Sequence, residues 1–496
     1  MIQRLTKHLH LIVIIGIIGV ASFLRLYRLG ELTEFLGDQG SAGVMIYEAW
    51  KSKTLPLVGP RFSTGQETGP AFYYLIAPAL ILSGFKPIAA ALVMVISGVG
   101  TVFLLYRTVS IISGSNAGLV AAWLYAVSPV TVAVSRNIWN PTTIPFFLSL
   151  VLYSMAKIAR ERAYGYAAVL GGSVGILLQL HYTNLFTLLV AVIFWIYIGY
   201  RRDTEDSLSV WIGRSAAALA ALLTVLSPYL WYEYLHGFTD ISSVFQTLMG
   251  TRGLAGFAFR VNPDIAGVIN GTVGAVTPLP AGIWIPLLGG ILIMTLLWGS
   301  RWQKMIIVWL LGGIGVMLLY RENIRDHYLY FLQVLSFAVI ASVLGSNLRK
   351  WTAAGLVLAL GTGIFSLTRT DIFRKEFSDI RRTEAAVNSM VQYAGGKPFS
   401  FTVIRSRSFS DFHYRYFFTL RRLRPVEITN PDYSLLFIVC EDPLCPELAD
   451  LASVSRLYVL CYDHHCGLDY PVINLNDWRP AGVTEVSNRY IYRFLR

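Results

Sequence analysis

Charge is scarce in this chain. Of 496 residues, 14% are charged and 55% hydrophobic, against roughly 25% charged in soluble proteins. An ordinary soluble fold is thereby excluded. Cysteine is scarce as well: there are four, and none precedes Cys440. A small-residue cleavage site is missing after the first apolar run, His10 to Leu29, which leads straight into Arg25 and Arg28. That run reads as a retained span, not a cleaved signal peptide. No internal repeat is visible. The formal charge of +12 first suggests nucleic acid, but its basic residues sit in short loops between apolar runs. This distribution argues against a nucleic-acid face and for a membrane.

The chain does carry repeated apolar runs near 20 residues long, which define a polytopic membrane protein. One segment decides the layout: "GPAFYYLIAPALILSGF", Gly69 to Phe85, which is short, aromatic and broken by Pro78. Read as re-entrant or interfacial, it puts every short basic loop on one face, the cytoplasmic one. About eleven spans follow: 10–29, 88–107, 116–134, 142–157, 164–181, 184–200, 214–230, 281–299, 304–320, 328–345 and 351–367. The expectation is a multi-pass plasma-membrane protein with a cytoplasmic N-terminus. Its membrane domain covers 1–367, with a long first outer loop at 30–87 bearing interfacial helices. Glycine pairs inside the spans, Gly171/Gly172 and Gly289/Gly290, are read as sites of close helix packing.

Near Thr368 the composition shifts to mixed charge. "FSFTVIRS", "YSLLFIVCE", "SRLYVLCYD" and "RYIYRFL" read as strands, with helices near 409–423 and 446–453. Residues 368–496 are therefore expected to form an extracytoplasmic α/β domain. Cys440, Cys445, Cys461 and Cys466 all lie in it, as two C-x4-C pairs. In an oxidising compartment disulfides are favoured. A zinc site with His464 and His465 is the alternative, and four cysteines leave three pairings open.

Unusual polar residues collect at one membrane face. Asp38 lies between glycines in "GDQG". Arg61, Glu67, Tyr73 and Tyr74 follow; then Arg136, Trp139 and Asn140, then His181, Tyr182 and Asn184, and later Arg321, Arg325, Asp326, His327 and Tyr328. Ionisable groups near membrane depth are functional candidates. Each also has an ordinary explanation. Arg25 and Arg28 would snorkel to headgroups, Glu67 would be a solvated loop charge, and Arg321 and Arg325 would bind headgroups nonspecifically. Asp38 would cap the helix beginning "SAGVMIYEAW", and its glycines suit a cap or a close approach to a ligand.

The pattern resembles the GT-C glycosyltransferases that use polyprenyl-phosphate sugars, nearest the protein mannosyltransferase and aminoarabinose-transferase branch. Four segments carry the resemblance: "LRLYRLGELTEFLGDQGSAGVMIYEAWKSKTLPL", "GPAFYYLIAPALILSGF", "AWLYAVSPVTVAVSRNIWNPTTIPFFLSL" and "RDHYLYFLQVLSFAVIAS". It covers about 1–345. The resemblance implies inverting transfer of a sugar from a polyprenyl-phosphate donor to a protein, glycan or lipid hydroxyl at the extracytoplasmic face. It implies Asp38 as the base. Arg61, Arg321, Arg325, His327 and Tyr328 would lie on the donor phosphate. Glu67, Tyr73, Arg136, Asn140 and His181 would contact sugar or acceptor. Two positions depart from the family: Gln39, where a second acid often follows Asp, and Asn140, where a carboxylate often stands. Both reduce negative charge and so weaken the case for a divalent cation, for which Asp38 is the one candidate ligand. A lipid-linked sugar transporter and a non-catalytic glycolipid-binding assembly protein are the competing readings. The missing repeat and the one-sided polar residues disfavour the transporter.

Overall fold

The computed structural model describes residues 2–61, 65–161, 163–200, 208–248, 264–276, 281–320, 323–345, 352–373, 378–430, 432–458 and 472–496. Arg321, Cys461, Cys466, His464 and His465 lie outside the described residues, so the readings placed on them are not addressed by the structure.

Among the described residues, eight helices are long and apolar enough to cross a membrane: His8–Leu26, Pro87–Ser113, Asn140–Glu161, Tyr182–Tyr200, Leu208–Leu235, Arg301–Leu318, Asp326–Leu344 and Gly355–Phe373. The other three expected spans correspond to shorter apolar helices, Ser115–Val127, Tyr166–Leu180 and Ile285–Trp298. The Pro78 segment forms a twelve-residue helix, Ala71–Leu82. At 1.5 Å per residue it covers about 18 Å, well short of the ~30 Å hydrocarbon core.

The chain divides into two compact units that do not follow chain order. One comprises Met1–Tyr27, Pro56–Ile76 and Leu92–Arg374; the other comprises Arg28–Leu55, Ala77–Ala91 and Lys375–Arg496. In the first, helix Tyr330–Leu344 is buried along nearly its whole length and packs on Ser115–Val127, Ile144–Glu161 and Arg301–Leu318. Helix Tyr166–Leu180 lies along Leu208–Leu235. Gly171 permits that approach, because a Cβ there would overlap the Ala218 carbonyl. Gly172, Gly289 and Gly290 face open space among the described residues, so the packing read into those three is not seen.

Arg25 does not snorkel. It is fully buried and donates to Ser135 Oγ (3.1 Å), the carbonyls of Ala21 (3.2 Å), Ala126 (2.9 Å) and Tyr125 (3.3 Å), and Thr131 Oγ1 (3.2 Å). Neutral acceptors thus replace its hydration. Arg28 instead pairs with Glu31.

The second unit holds a four-stranded sheet in the order β1-β2-β6-β5, with β1 (Phe399–Ile404), β2 (Leu435–Cys440), β5 (Arg479–Val486) and β6 (Arg489–Leu495). A two-stranded ladder joins β3 (Arg456–Tyr458) to β4 (Val472–Asn474). β1 and β2 are parallel and linked through helix Phe412–Leu420; β6 is antiparallel to β2 and β5. β2, "LLFIVC", is buried at every position, the pattern of a strand covered on both faces. Cys440 and Cys445 form a disulfide.

Candidate functional site

Asp38 belongs to the second unit. The helix that carries it begins at Gly37, not Ser41, and runs to Ser52. Its N-cap is Leu36, so Asp38 sits in the first turn and does not cap it. Gln39 does the capping instead, its side-chain oxygen accepting from the Leu36 N–H at 2.9 Å. An amide therefore serves a structural purpose where the family often has an acid. The flanking glycines are closely packed. A Cβ on Gly37 would overlap Ser410 Oγ, one on Gly40 the backbone of Phe412, and one on Gly43 the Tyr416 ring. These three positions recur at helical spacing and seat one face of the helix on Phe412–Leu420. Asp38 lies off that face and is exposed.

Behind the turn is a charged network. Asp379 accepts from Arg407 at 2.8 Å, and Arg407 also reaches Glu34 at 3.4 Å. Burial, seconded by Asp379 and Asp38, pushes the Glu34 carboxyl up, while Arg407 opposes it. Glu441 is a buried hub that accepts from Ser406 Oγ (2.6 Å), His413 Nε2 (3.1 Å), Tyr414 Oη (2.8 Å) and Arg489. Burial pushes its carboxyl up, but His413, Arg489 and Ser406 together hold it well below the usual range.

In the first unit, three tips converge. His181 follows helix Tyr166–Leu180; His327 and Tyr328 lie in the turn Asp326–Leu329; Trp139 precedes the turn Asn140–Thr143. Ring centroids separate His181 from His327 by 5.3 Å, His181 from Tyr328 by 4.8 Å, and Trp139 from His327 by 4.5 Å. Tyr182 Oη and Tyr320 Oη are 3.2 Å apart. Arg325 is exposed beside these rings. The cluster thus brings together aromatic rings, the half-buried imidazole of His327 and an exposed cation.

Other sequence-chosen residues are committed elsewhere. Arg61 Nε pairs with Glu67 Oε1 at 3.0 Å across a short antiparallel bridge. Arg136 is buried and donates to the carbonyls of Leu24 (3.1 Å) and Tyr27 (2.6 Å). Burial pushes its guanidinium down to about 10, still charged at pH 7. Asn140 is buried and donates to the Leu180 carbonyl at 2.9 Å, so it fastens one tip to the next. Tyr73 is buried in Ala71–Leu82. Sequence reasoning missed Tyr320, Asp379, Arg407 and Ser408. The last two stand in "RSRSFS", directly after a parallel strand, where loops of α/β sheets collect binding residues. That position was the available signal.

For a divalent cation the donor set is thin. Among the described residues no group of three or more His, Cys, Asp or Glu side chains is arranged to hold a metal ion, and Gln39 already bonds backbone. No step is therefore routed through a metal.

Helical membrane unit and terminal sheet domain together define the GT-C fold. Over 97% of both chains the protein superposes on ArnT from Cupriavidus metallidurans bound to undecaprenyl phosphate, with a TM-score of 0.62 and 12% identity. The archaeal oligosaccharyltransferase AglB from Archaeoglobus fulgidus, in complex with an inhibitory peptide and a dolichol-phosphate, matches 88% of this chain and 70% of its own. The TM-score there is 0.51, with 13% identity. Residues 67–232, about a third of the chain, match the family model described as dolichyl-phosphate-mannose-protein mannosyltransferase. The chain thus shares the GT-C fold of these structures, and its residues 67–232 carry the local family match. No curated protein matches it in sequence.

Proposed function

We propose that the protein is a membrane glycosyltransferase that moves a sugar from a polyprenyl-phosphate donor to an acceptor hydroxyl at the extracytoplasmic face, with inversion. One observation carries this reading beyond the fold: an exposed carboxylate, Asp38, is presented by a helix turn whose opposite face is buried and fully engaged. Asp38 takes the acceptor proton. The acceptor oxygen bonds to the anomeric carbon as the bond from that carbon to the phosphate oxygen breaks. The electron pair leaves with polyprenyl phosphate.

Roles are assigned unit by unit. Arg325, with His327 and Tyr328, serves the phosphate, since a guanidinium can donate twice to it. Arg321 is proposed for the same task. Arg61 acts there only by giving up Glu67, and the pair is more simply a clasp. His181, stacked at 4.4 Å on Tyr182, is proposed for a sugar contact, as is Tyr73, although both are buried. Arg136 and Asn140 hold the tips. The neighbours' lipid phosphates support the donor class, and their peptides make a protein acceptor one of the options.

The test is incubation of purified protein in lipid with labelled polyprenyl-phosphate hexoses and pentoses. Release of polyprenyl phosphate with label on an acceptor supports transfer. Movement of the intact glycolipid across the bilayer, without release, would establish a transporter instead.

A further inference from the structure

In open α/β sheets, ligands bind outside the carboxyl ends of the strands. The parallel pair here ends at Ile404 and Cys440. Beyond those ends lie Arg405–Ser410 and Glu441, the natural place for a ligand of this sheet. Residues 35–40 of the same chain are bound there. The Gly37 N–H donates to Ser408 Oγ at 2.9 Å, and the Phe35 N–H to Asp379 Oδ2 at 3.5 Å. With the Gln39 bond to Leu36, the Leu36 and Gly37 amides, which the helix itself leaves without acceptors, are satisfied, as is the Phe35 amide just before them.

Ser408 is placed to be exacting. Its hydroxyl donates to the Ser410 carbonyl at 2.6 Å and accepts from the Ser410 N–H at 3.2 Å as well as from Gly37. A hydroxyl has one donor and two lone pairs, so all three are used and the oxygen cannot rotate away. Its own N–H donates to Ser406 Oγ (3.0 Å), whose hydroxyl donates to the buried Glu441. The position of the Gly37 amide, one residue before Asp38, is therefore referred to the rigid end of the sheet. Glycines at 37 and 40 allow the turn to sit this deep.

We infer that the C-terminal sheet domain holds the Asp38 turn as its own ligand, with Ser408 as a positioning residue for the Asp38 carboxylate. This rests on the assignment of Asp38 as base. Ser408→Ala leaves the Gly37 and Ser410 amides without that acceptor but changes little volume. Misplacing a reacting group by about 1 Å can cost up to a hundredfold in rate.

The experiment compares wild type, Asp38→Asn, Ser408→Ala and Ser408→Thr as full-length protein in lipid. It uses the labelled donor that wild type turns over and follows amide exchange by mass spectrometry. The inference expects Asp38→Asn to be inactive. It expects Ser408→Ala to lower kcat about tenfold while donor KM stays within twofold. Exchange should rise at residues 36–40 and not in β1, β2 or β6, and Ser408→Thr, which keeps the hydroxyl, should restore both readouts. An inactive Asp38→Asn beside a Ser408→Ala protein with wild-type kcat would overturn the positioning role and leave the base assignment standing. So would a loss in Ser408→Ala that comes with faster exchange throughout the sheet. A fully active Asp38→Asn protein would overturn the base assignment and this inference with it.

Discussion

The two compact units treat buried cations in opposite ways. In the membrane unit, Arg25 and Arg136 are surrounded by carbonyls and hydroxyls, which solvate the charge without cancelling it. In the other unit, Arg489 faces Glu441 and Asp379, and Arg415 faces Asp411 (2.9 Å) and Glu427 (3.2 Å). Paired charges fix a shape. Carbonyl-solvated charges also fix a shape, but they leave the unit with its net positive field. A unit proposed to receive a phosphate anion benefits from the second arrangement, and a unit proposed to hold a carboxylate in place benefits from the first.

The division of labour breaks most visibly at Asp38. Asp38→Asn is expected to lower turnover by on the order of 10²–10⁴, the range for loss of general-base catalysis. Binding of the labelled donor lipid should be unchanged, because the groups proposed for the phosphate belong to the other unit. Turnover and donor binding measured on one preparation check this, and an Asp38→Asn protein that turns over normally removes Asp38 from the chemistry. Next in size is Glu441→Gln. It leaves Arg489 with Asp379 at 4.0 Å and costs about 3 kcal/mol, since breaking a buried ion pair strands a charge. Chemical denaturation in detergent, followed by exchange at β2 and β6, gives the number. A loss under about 1 kcal/mol, the range of an exposed pair, would mean the network is dispensable.

The membrane half of the fold was legible because twenty-residue apolar runs leave little choice of structure. Eight of the expected spans are long helices, and three are short ones that composition could not measure to the residue. In the sheet domain, β1, β2, β3 and β6 were readable from dense β-branched and aromatic residues. β5 was not: "RPAGVTEV" carries Pro and Gly and lies at the sheet edge with most positions exposed, where such residues are tolerated. The helix Asp379–Ala394 was missed because its sequence is polar overall, its apolar residues confined to one face. At Asp38 the setting was not readable. "GDQGSAG" reads as a loose turn until Phe412, Ser408 and Tyr416, some 370 residues later, supply the surface that needs the glycines. Arg25 failed for the same reason: local sequence shows a charge near a span end, and only tertiary contacts show five acceptors.

Arg325→Ala sharpens the membrane side of the comparison. Charge-assisted hydrogen bonds are worth about 1.5–3 kcal/mol, so donor KM should rise roughly tenfold to a hundredfold, with acceptor KM unchanged. Equal effects on both substrates would mean that Arg325 acts on the fold of the tip and not on the phosphate.

The smallest effect concerns Glu34, where the paired unit departs from its own rule. Glu34 lies 3.4 Å from Arg407, which by itself would favour the carboxylate. Burial first, then Asp379 and Asp38, outweigh it and raise the pKa above the ordinary 4.5. A carboxyl raised on folding binds more protons folded than unfolded between those two values. Its stabilisation is complete below the unfolded value and is lost as pH rises through the folded one. Glu441 has the reverse sign: held low when folded, it stabilises above the unfolded value and loses that contribution as pH falls. Wild type should therefore lose stability on acidification below about pH 4.5, through Glu441. Glu34→Gln should be more stable than wild type near pH 7, with the gain vanishing below about pH 4.5, because it deletes a carboxylate that folding disfavours. Denaturation midpoints of the two proteins across about pH 4 to 7 test this. A Glu34→Gln protein less stable at neutral pH would mean that the Arg407 pair outweighs burial, and the unit would then pair all of its described network carboxylates to advantage.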